Sequence, residues 1–87
     1  MPSDSEIRDE ILVQLYGVRP GSRPADRLAK TARAGGLTVA DAEVIREAEY
    51  LVKAGLIEAV KDPADPTVKR YTLTQAGWDA AKEKGLV

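Results

Sequence analysis

The chain has 87 residues, with 13 Lys and Arg against 14 Asp and Glu, a net charge of −1, and neither Cys nor His. That composition excludes a disulfide framework, a thiolate or imidazole metal site, a Ser-His-Asp triad and a thiol nucleophile. At 44% apolar and 31% charged, with one Trp, three Tyr and no Phe, it predicts a single globular domain over residues 1–87 whose core is Leu, Ile, Val and Ala.

In chain order, Ser3 and Glu6 stand in capping-box spacing ahead of Ile7, Ile11, Leu12 and Leu15, which share one helical face. This predicts a first helix ending near Tyr16 with Gly17 as its stop, followed by a connector at Arg19-Pro20-Gly21-Ser22. A second helix is expected from about Pro24, with Ala25, Leu28, Ala29 and Ala32 inward and Gly35-Gly36 at its end. Its other side carries Arg23, Arg27 and Lys30 as a stripe. From Gly17 to Gly36 there are five basic residues against Asp26 alone, a local charge of +4 that leaves −5 for the rest of the chain.

The longest periodic segment runs from Thr38 to Ile57. Thr38 with Asp41 gives a capping-box-like start, and Gly55 with Leu56 packing back on Leu51 gives a Schellman-type stop. A wheel at about 100° per residue gathers Val44, Ala48, Leu51 and Gly55 on one face, with Ile45 and Val52 beside them. The opposite face carries Val39, Ala42, Arg46, Glu49 and Lys53, flanked by Glu43 and Tyr50. Beyond it the period falls to two. Ile57–Val60 and Arg70–Thr74 read as strands, with Ile57 and Ala59 on one face of the first and Tyr71 and Leu73 on one face of the second. Two Asp-Pro dipeptides between them make a long hairpin tip. A last helix, Gln75 to Lys84, takes Thr74 as its cap, with Gly77 allowing close approach and Ala80 and Ala81 inward. Trp78 is assigned to the edge of the core or to a self-association surface.

The acids Asp4, Glu6, Asp9 and Glu10, and again Asp41, Glu43, Glu47 and Glu49, read as first-turn residues suited to the helix dipole and as solvated faces, not as a metal or catalytic set. Gly17, Gly21, Gly35 and Gly36 match no phosphate-cradling fingerprint. No enzyme activity, cofactor, metal or small-molecule ligand is therefore expected. No run approaches the roughly 18 apolar residues of a membrane span, and the opening Met-Pro-Ser-Asp-Ser is too polar for a secretory signal, so a soluble cytoplasmic protein is expected.

Helix, helix, helix, hairpin, helix is the order of a winged helix, an α+β fold that is mostly α. Leu51-Val52-Lys53-Ala54-Gly55-Leu56-Ile57 is similar to the L-x-x-x-G-L-I junction between recognition helix and wing in many bacterial winged-helix regulators. Tyr71-Thr72-Leu73-Thr74-Gln75-Ala76-Gly77 resembles the Y-x-L-T-x-x-G segment that closes the wing in MarR- and PadR-like transcriptional regulators. The resemblance implies double-stranded DNA as partner and a role in transcription regulation, with the third helix in the major groove. Candidate base readers are then Arg46, Glu43, Ala42 and Val39. Candidate phosphate contacts are Arg23, Arg27, Lys30 and Lys53, with Lys61, Lys69 and Arg70 at the base of the wing. Against this stand four acids and two bases in the reading helix, Asp62 and Asp65 at the wing tip where phosphates would lie, and an isoelectric point of about 5.4. The alternative is a winged helix used as a protein-interaction or homodimerisation module without strong DNA binding, with Trp78 and Tyr50 as its contact candidates.

Overall fold

The computed structural model describes residues 2–87. Helix α1 (Asp4–Val18) leads through a short strand β1 (Arg23–Pro24) into α2 (Ala25–Ala34) and α3 (Asp41–Lys53); strands β2 (Ile57–Lys61) and β3 (Lys69–Leu73) and helix α4 (Gln75–Glu83) follow. The sheet is antiparallel in the order β1-β3-β2, so β3 is its centre. Ile57 pairs with Leu73 and Ala59 with Tyr71, which puts the four expected residues on the one face that meets the helices. The core joins Ile7, Ile11, Leu12 and Leu15 of α1 to Leu28, Ala29 and Ala32 of α2, Val44, Ala48 and Leu51 of α3, and Ile57 and Tyr71 of the sheet. Aliphatic and alanine side chains let three helices approach closely, as the aromatic-poor composition requires.

The α3–β2 junction forms as its residues dictate. Gly55 takes φ +78°, the Gly55 amide donates to Val52 O and the Leu56 amide to Leu51 O, both at 3.0 Å. Ser3 and Glu6 form the full capping box of α1, and Thr74 Oγ1 caps α4 by accepting from the Gly77 amide at 3.1 Å.

Four local expectations are corrected. Helix α1 runs through Gly17 to Val18; its end is set by Pro20, which holds Arg19 in extended backbone at φ −59°, ψ 146°. The sheet has a third strand, two residues long, that periodicity does not reveal because one of the two is Pro24, tolerated only at an edge. Pro24 stands at the N-cap position of α2, in extended backbone and without a side-chain capping bond, instead of opening its first turn.

The fourth correction concerns the start of α3. Thr38 is not its cap: the helix begins at Asp41 after Ala40, whose amide donates to Glu43 Oε1 at 3.0 Å. Val39 is drawn into the core, 6% exposed, and the segment ahead is fixed by the Leu37 amide bonding Ala32 O and by Arg33 Nη1 bonding Val39 O. Burying an apolar valine outweighs a threonine cap, which is worth about 1 kcal/mol.

Candidate nucleic-acid interface

Helix α3 is covered on one flank by α1 and on the other opens toward the start of α2 and the wing. That asymmetry decides which of its residues are free. On the α1 flank lies Glu47, only 3% exposed, accepting from Arg8 Nε at 2.7 Å and from Arg46 Nε at 2.8 Å. Burial alone would raise its carboxyl, but the two guanidinium bonds and their charges outweigh burial and hold it below the usual glutamate range. Arg46, expected to face bases, reaches back instead to Asp4 Oδ1 at 3.0 Å. Tyr50 lies under the Arg8 guanidinium, 3.7 Å from its ring centroid.

On the open flank, Ile45 is 46% exposed, not part of the inner face as the wheel suggested. The wheel fixes only the centre of the apolar stripe. Glu47 and Ile45 stand on its two edges, and α1 covers the edge that carries Glu47. Ile45 and Glu49 line a groove of about 470 Å³ with Pro24, Ala25, Asp26, Val68, Lys69 and Tyr71. Glu49 accepts from the buried Tyr71 hydroxyl at 2.7 Å, and Lys69 Nζ lies 3.6 Å from it. Burial first, and the Glu49 carboxylate second, raise the Tyr71 phenol far above its ordinary range, so it stays a donor at any physiological pH. Ala42, one turn earlier on this edge, is exposed, whereas Val39 is withdrawn from the candidate base readers by its burial.

The basic residues do not form the single stripe expected on α2. Arg23 belongs to β1 and turns inward, donating to Gln14 Oε1 at 3.2 Å and to Thr31 Oγ1 at 3.5 Å. Arg23, Arg27 and Arg70 instead line one polar recess of about 190 Å³ beside Ser22. Arg70 is locked there, with Nε on Ser22 Oγ at 2.9 Å, Nη2 on Ser22 O at 2.8 Å and Nη1 on Asp62 Oδ2 at 3.2 Å. Arg27, Lys30, Lys53 and Lys61 are exposed and make no ion pair among the described residues.

The wing-tip acids are turned onto their own backbone. Asp62 Oδ1 accepts from the amides of Ala64 at 2.8 Å and Asp65 at 3.3 Å, and Asp65 Oδ1 accepts from the amide and hydroxyl of Thr67. The amide bond from Ala64 first, with Asp65 and Arg70 adding to it, overcomes the opposing effect of burial and lowers the Asp62 carboxyl. The acids thus shape the tip. At the far end of the molecule Trp78 packs edge-on against Tyr16, ring centroids 6.4 Å apart, and Arg19 stands over both rings. Its indole N–H finds no acceptor among the described residues.

The sequence reading missed three contributors. Ser22 anchors Arg70, Arg8 anchors Glu47, and Ile45 occupies the open edge. Only Ile45 gave a signal, its place on the margin of the apolar stripe. Among the described residues no cluster of three or more acids could hold a metal ion, and no helix is long and apolar enough to cross a membrane.

This arrangement, with α2 and α3 as a helix-turn-helix and β2–β3 as the wing, is the winged helix-turn-helix fold. Solved structures share it. The adhesin competence repressor AdcR from Streptococcus pyogenes superposes with a TM-score of 0.74 at 24% identity over 91% of this chain and 52% of its own. YusO from Bacillus subtilis gives a TM-score of 0.78 at 22% identity over 88% of this chain and 50% of its own. A single-substitution mutant of ZitR from Lactococcus lactis gives 0.74 at 20% identity over 92% of this chain and 49% of its own. The chain thus spans about half the length of these structures. No protein-family model and no curated protein sequence matches it.

Proposed function

We propose that the chain is a non-catalytic double-stranded DNA-binding domain of a transcriptional regulator, held mainly through the phosphate backbone. The observation that carries this reading is the set of free cations around α3: Arg27, Lys30, Lys53 and Lys61 are exposed and unpaired among the described residues, and Arg27 shares its recess with the two fixed guanidiniums of Arg23 and Arg70. A planar guanidinium already oriented by Ser22 loses little freedom on meeting a phosphate oxygen. The fold supports the same reading, since a winged helix offers α3 to the major groove with its wing alongside a strand. AdcR, which shares the fold, is described as a repressor. The protein-interaction alternative is weakened at Trp78, which packs against Tyr16 and Arg19, whereas Tyr50 keeps half of its surface exposed beside Arg8.

The test is fluorescence anisotropy with a labelled mixed-sequence duplex. Four phosphate contacts, one for each free cation, give a slope of log K on log salt of about −3.6, a roughly 150-fold loss of affinity between about 50 and 200 mM. The Arg27→Ala/Lys30→Ala double variant is expected to flatten that slope by about 1.8. Absence of binding at the lower salt overturns the proposal.

A further inference from the structure

We propose that α3 recognises thymine through its 5-methyl group, with Ile45 as the reading side chain and Ala42 beside it; this rests on the DNA-binding reading above. Helix α3 has few groups left to offer a base edge. Guanine is read in the major groove by a guanidinium or ammonium on O6 and N7, adenine by the amide of Asn or Gln on N6 and N7, and cytosine by a carboxylate accepting from N4. The helix Asp41–Lys53 contains neither Asn nor Gln. Its one guanidinium, Arg46, is bonded to Asp4 and Glu47. Its carboxylates are likewise engaged: Asp41 with Arg33, Glu43 with the Ala40 amide, Glu47 with Arg8 and Arg46, and Glu49 with the Tyr71 hydroxyl and Lys69. Lys53 lies in the last turn, remote from the start of the helix.

The remaining open edge is apolar. Ile45 is the most exposed large aliphatic side chain within any helix or strand, and it borders a groove whose lining is mostly carbon from Pro24, Ala25, Val68 and Tyr71, edged by Glu49, Lys69 and Asp26. The one apolar feature that the major groove presents is the thymine methyl, and covering it with an isoleucine removes carbon surface from water on both partners. The flanks carry the opposite chemistry. Lys69 stands on the same groove, and Arg27 and Lys30 line a shallow depression on α2, so phosphates on either side meet cations while the base edge meets carbon. An exposed isoleucine contributes little to the fold, and this one lies on the flank of α3 that α1 leaves open.

The experiment compares an alternating adenine–thymine duplex with the same duplex carrying uracil, which differs only by the methyl group, at low salt with wild-type protein and with Ile45→Ala. Wild type is expected to prefer thymine by about fourfold for each methyl covered, the ratio that about 0.8 kcal/mol makes at 25 °C. Ile45→Ala is expected to bind the two duplexes alike while melting within a few degrees of wild type, because the side chain it removes is not core. Equal wild-type affinity for the two duplexes overturns the methyl reading and leaves the DNA-binding reading standing. A thymine preference that survives Ile45→Ala removes Ile45 from the role. No binding to either duplex at low salt overturns both readings together.

Discussion

Two helical glycines, Gly17 of α1 and Gly77 of α4, should respond in opposite directions to the same substitution. Gly77 is the third residue of α4, and a Cβ built there runs into the carbonyl oxygen of Leu56 and comes within 2.7 Å of Leu73 Cδ1. The leucine can rotate away. The carbonyl cannot, because Leu56 follows the Gly55 turn, precedes β2 and accepts from the Thr74 amide at 3.2 Å. Gly77→Ala therefore requires α4 to lift from the α3–β2 junction, at the upper end of the usual overpacking range, about 3 kcal/mol, against a gain in helix propensity of about 1 kcal/mol. The net loss of about 2 kcal/mol is a large share of the roughly 4–13 kcal/mol expected for a domain of this length, and lowers Tm by about 8–16 °C. At Gly17, inside α1, a Cβ meets nothing within 4 Å, so Gly17→Ala keeps the propensity gain and raises stability by about 0.5–1 kcal/mol. Urea titration followed by far-UV circular dichroism measures both, with Trp78 emission as a local probe of α4, and a shift of midpoint at constant m isolates stability. A Gly77→Ala variant as stable as wild type would refute the close approach of α4 to the Leu56 carbonyl.

Two further outcomes follow from the ion pairs of α3. The Glu47 carboxyl is depressed in the folded state, so its contribution is present above the ordinary glutamate range and is lost as pH falls through the folded value; Glu47→Gln is accordingly destabilised at pH 7, and its deficit relative to wild type shrinks in urea melts taken below about pH 4. A pH-independent deficit would contradict the ion pairing. Because Arg46 is held by Asp4 and Glu47 whereas Arg27 is free, Arg27→Ala should weaken duplex binding and reduce its salt slope by about 0.9, while Arg46→Ala leaves that slope unchanged. Anisotropy titrations at several salt concentrations read the difference, and a smaller slope for Arg46→Ala would show that Arg46 leaves its carboxylates on binding.

The features that could be read from the sequence are those set by neighbours in the chain. Gly55 and Leu56 specify the end of α3 because a left-handed turn there needs no distant partner, and Thr74 with Gly77 specifies the start of α4 in the same way. The hairpin was legible because Ile57, Ala59, Tyr71 and Leu73 alternate about two Asp-Pro breaks. What stayed hidden was set across long separations. Arg46 pairs with Asp4, 42 residues away, and Arg70 with Ser22, 48 residues away, and no local pattern announces either bond. Likewise, a wheel centred on Val44 and Leu51 cannot say whether Glu47 or Ile45 will be covered, because that depends on which side α1 takes. Thr38 misled for a related reason: its cap chemistry is local, but the burial of Val39 that overrides it is not.

The charge of α3 depends on the same distinction. Counted along the chain, α3 is acidic, and four carboxylates facing a duplex would oppose binding. In the fold, Asp41, Glu47 and Glu49 lie against Arg33, Arg8, Arg46 and Lys69, and Glu43 is turned onto the first amide of the helix, where the dipole already favours a negative group. Asp62 is matched in the same way by Arg70. Pairing within a few ångströms cancels most of the field that each acid would send into solvent, and salt screens what is left beyond about 10 Å. The uncancelled charges near α3 are then mainly positive, Arg27, Lys30, Lys53 and Lys61, with Asp26, unpaired among the described residues, as an acid on the rim of the Ile45 groove. A chain with a net charge of −1 can thus present a mainly positive surface around its third helix, because the acids of that helix are consumed in holding it in place.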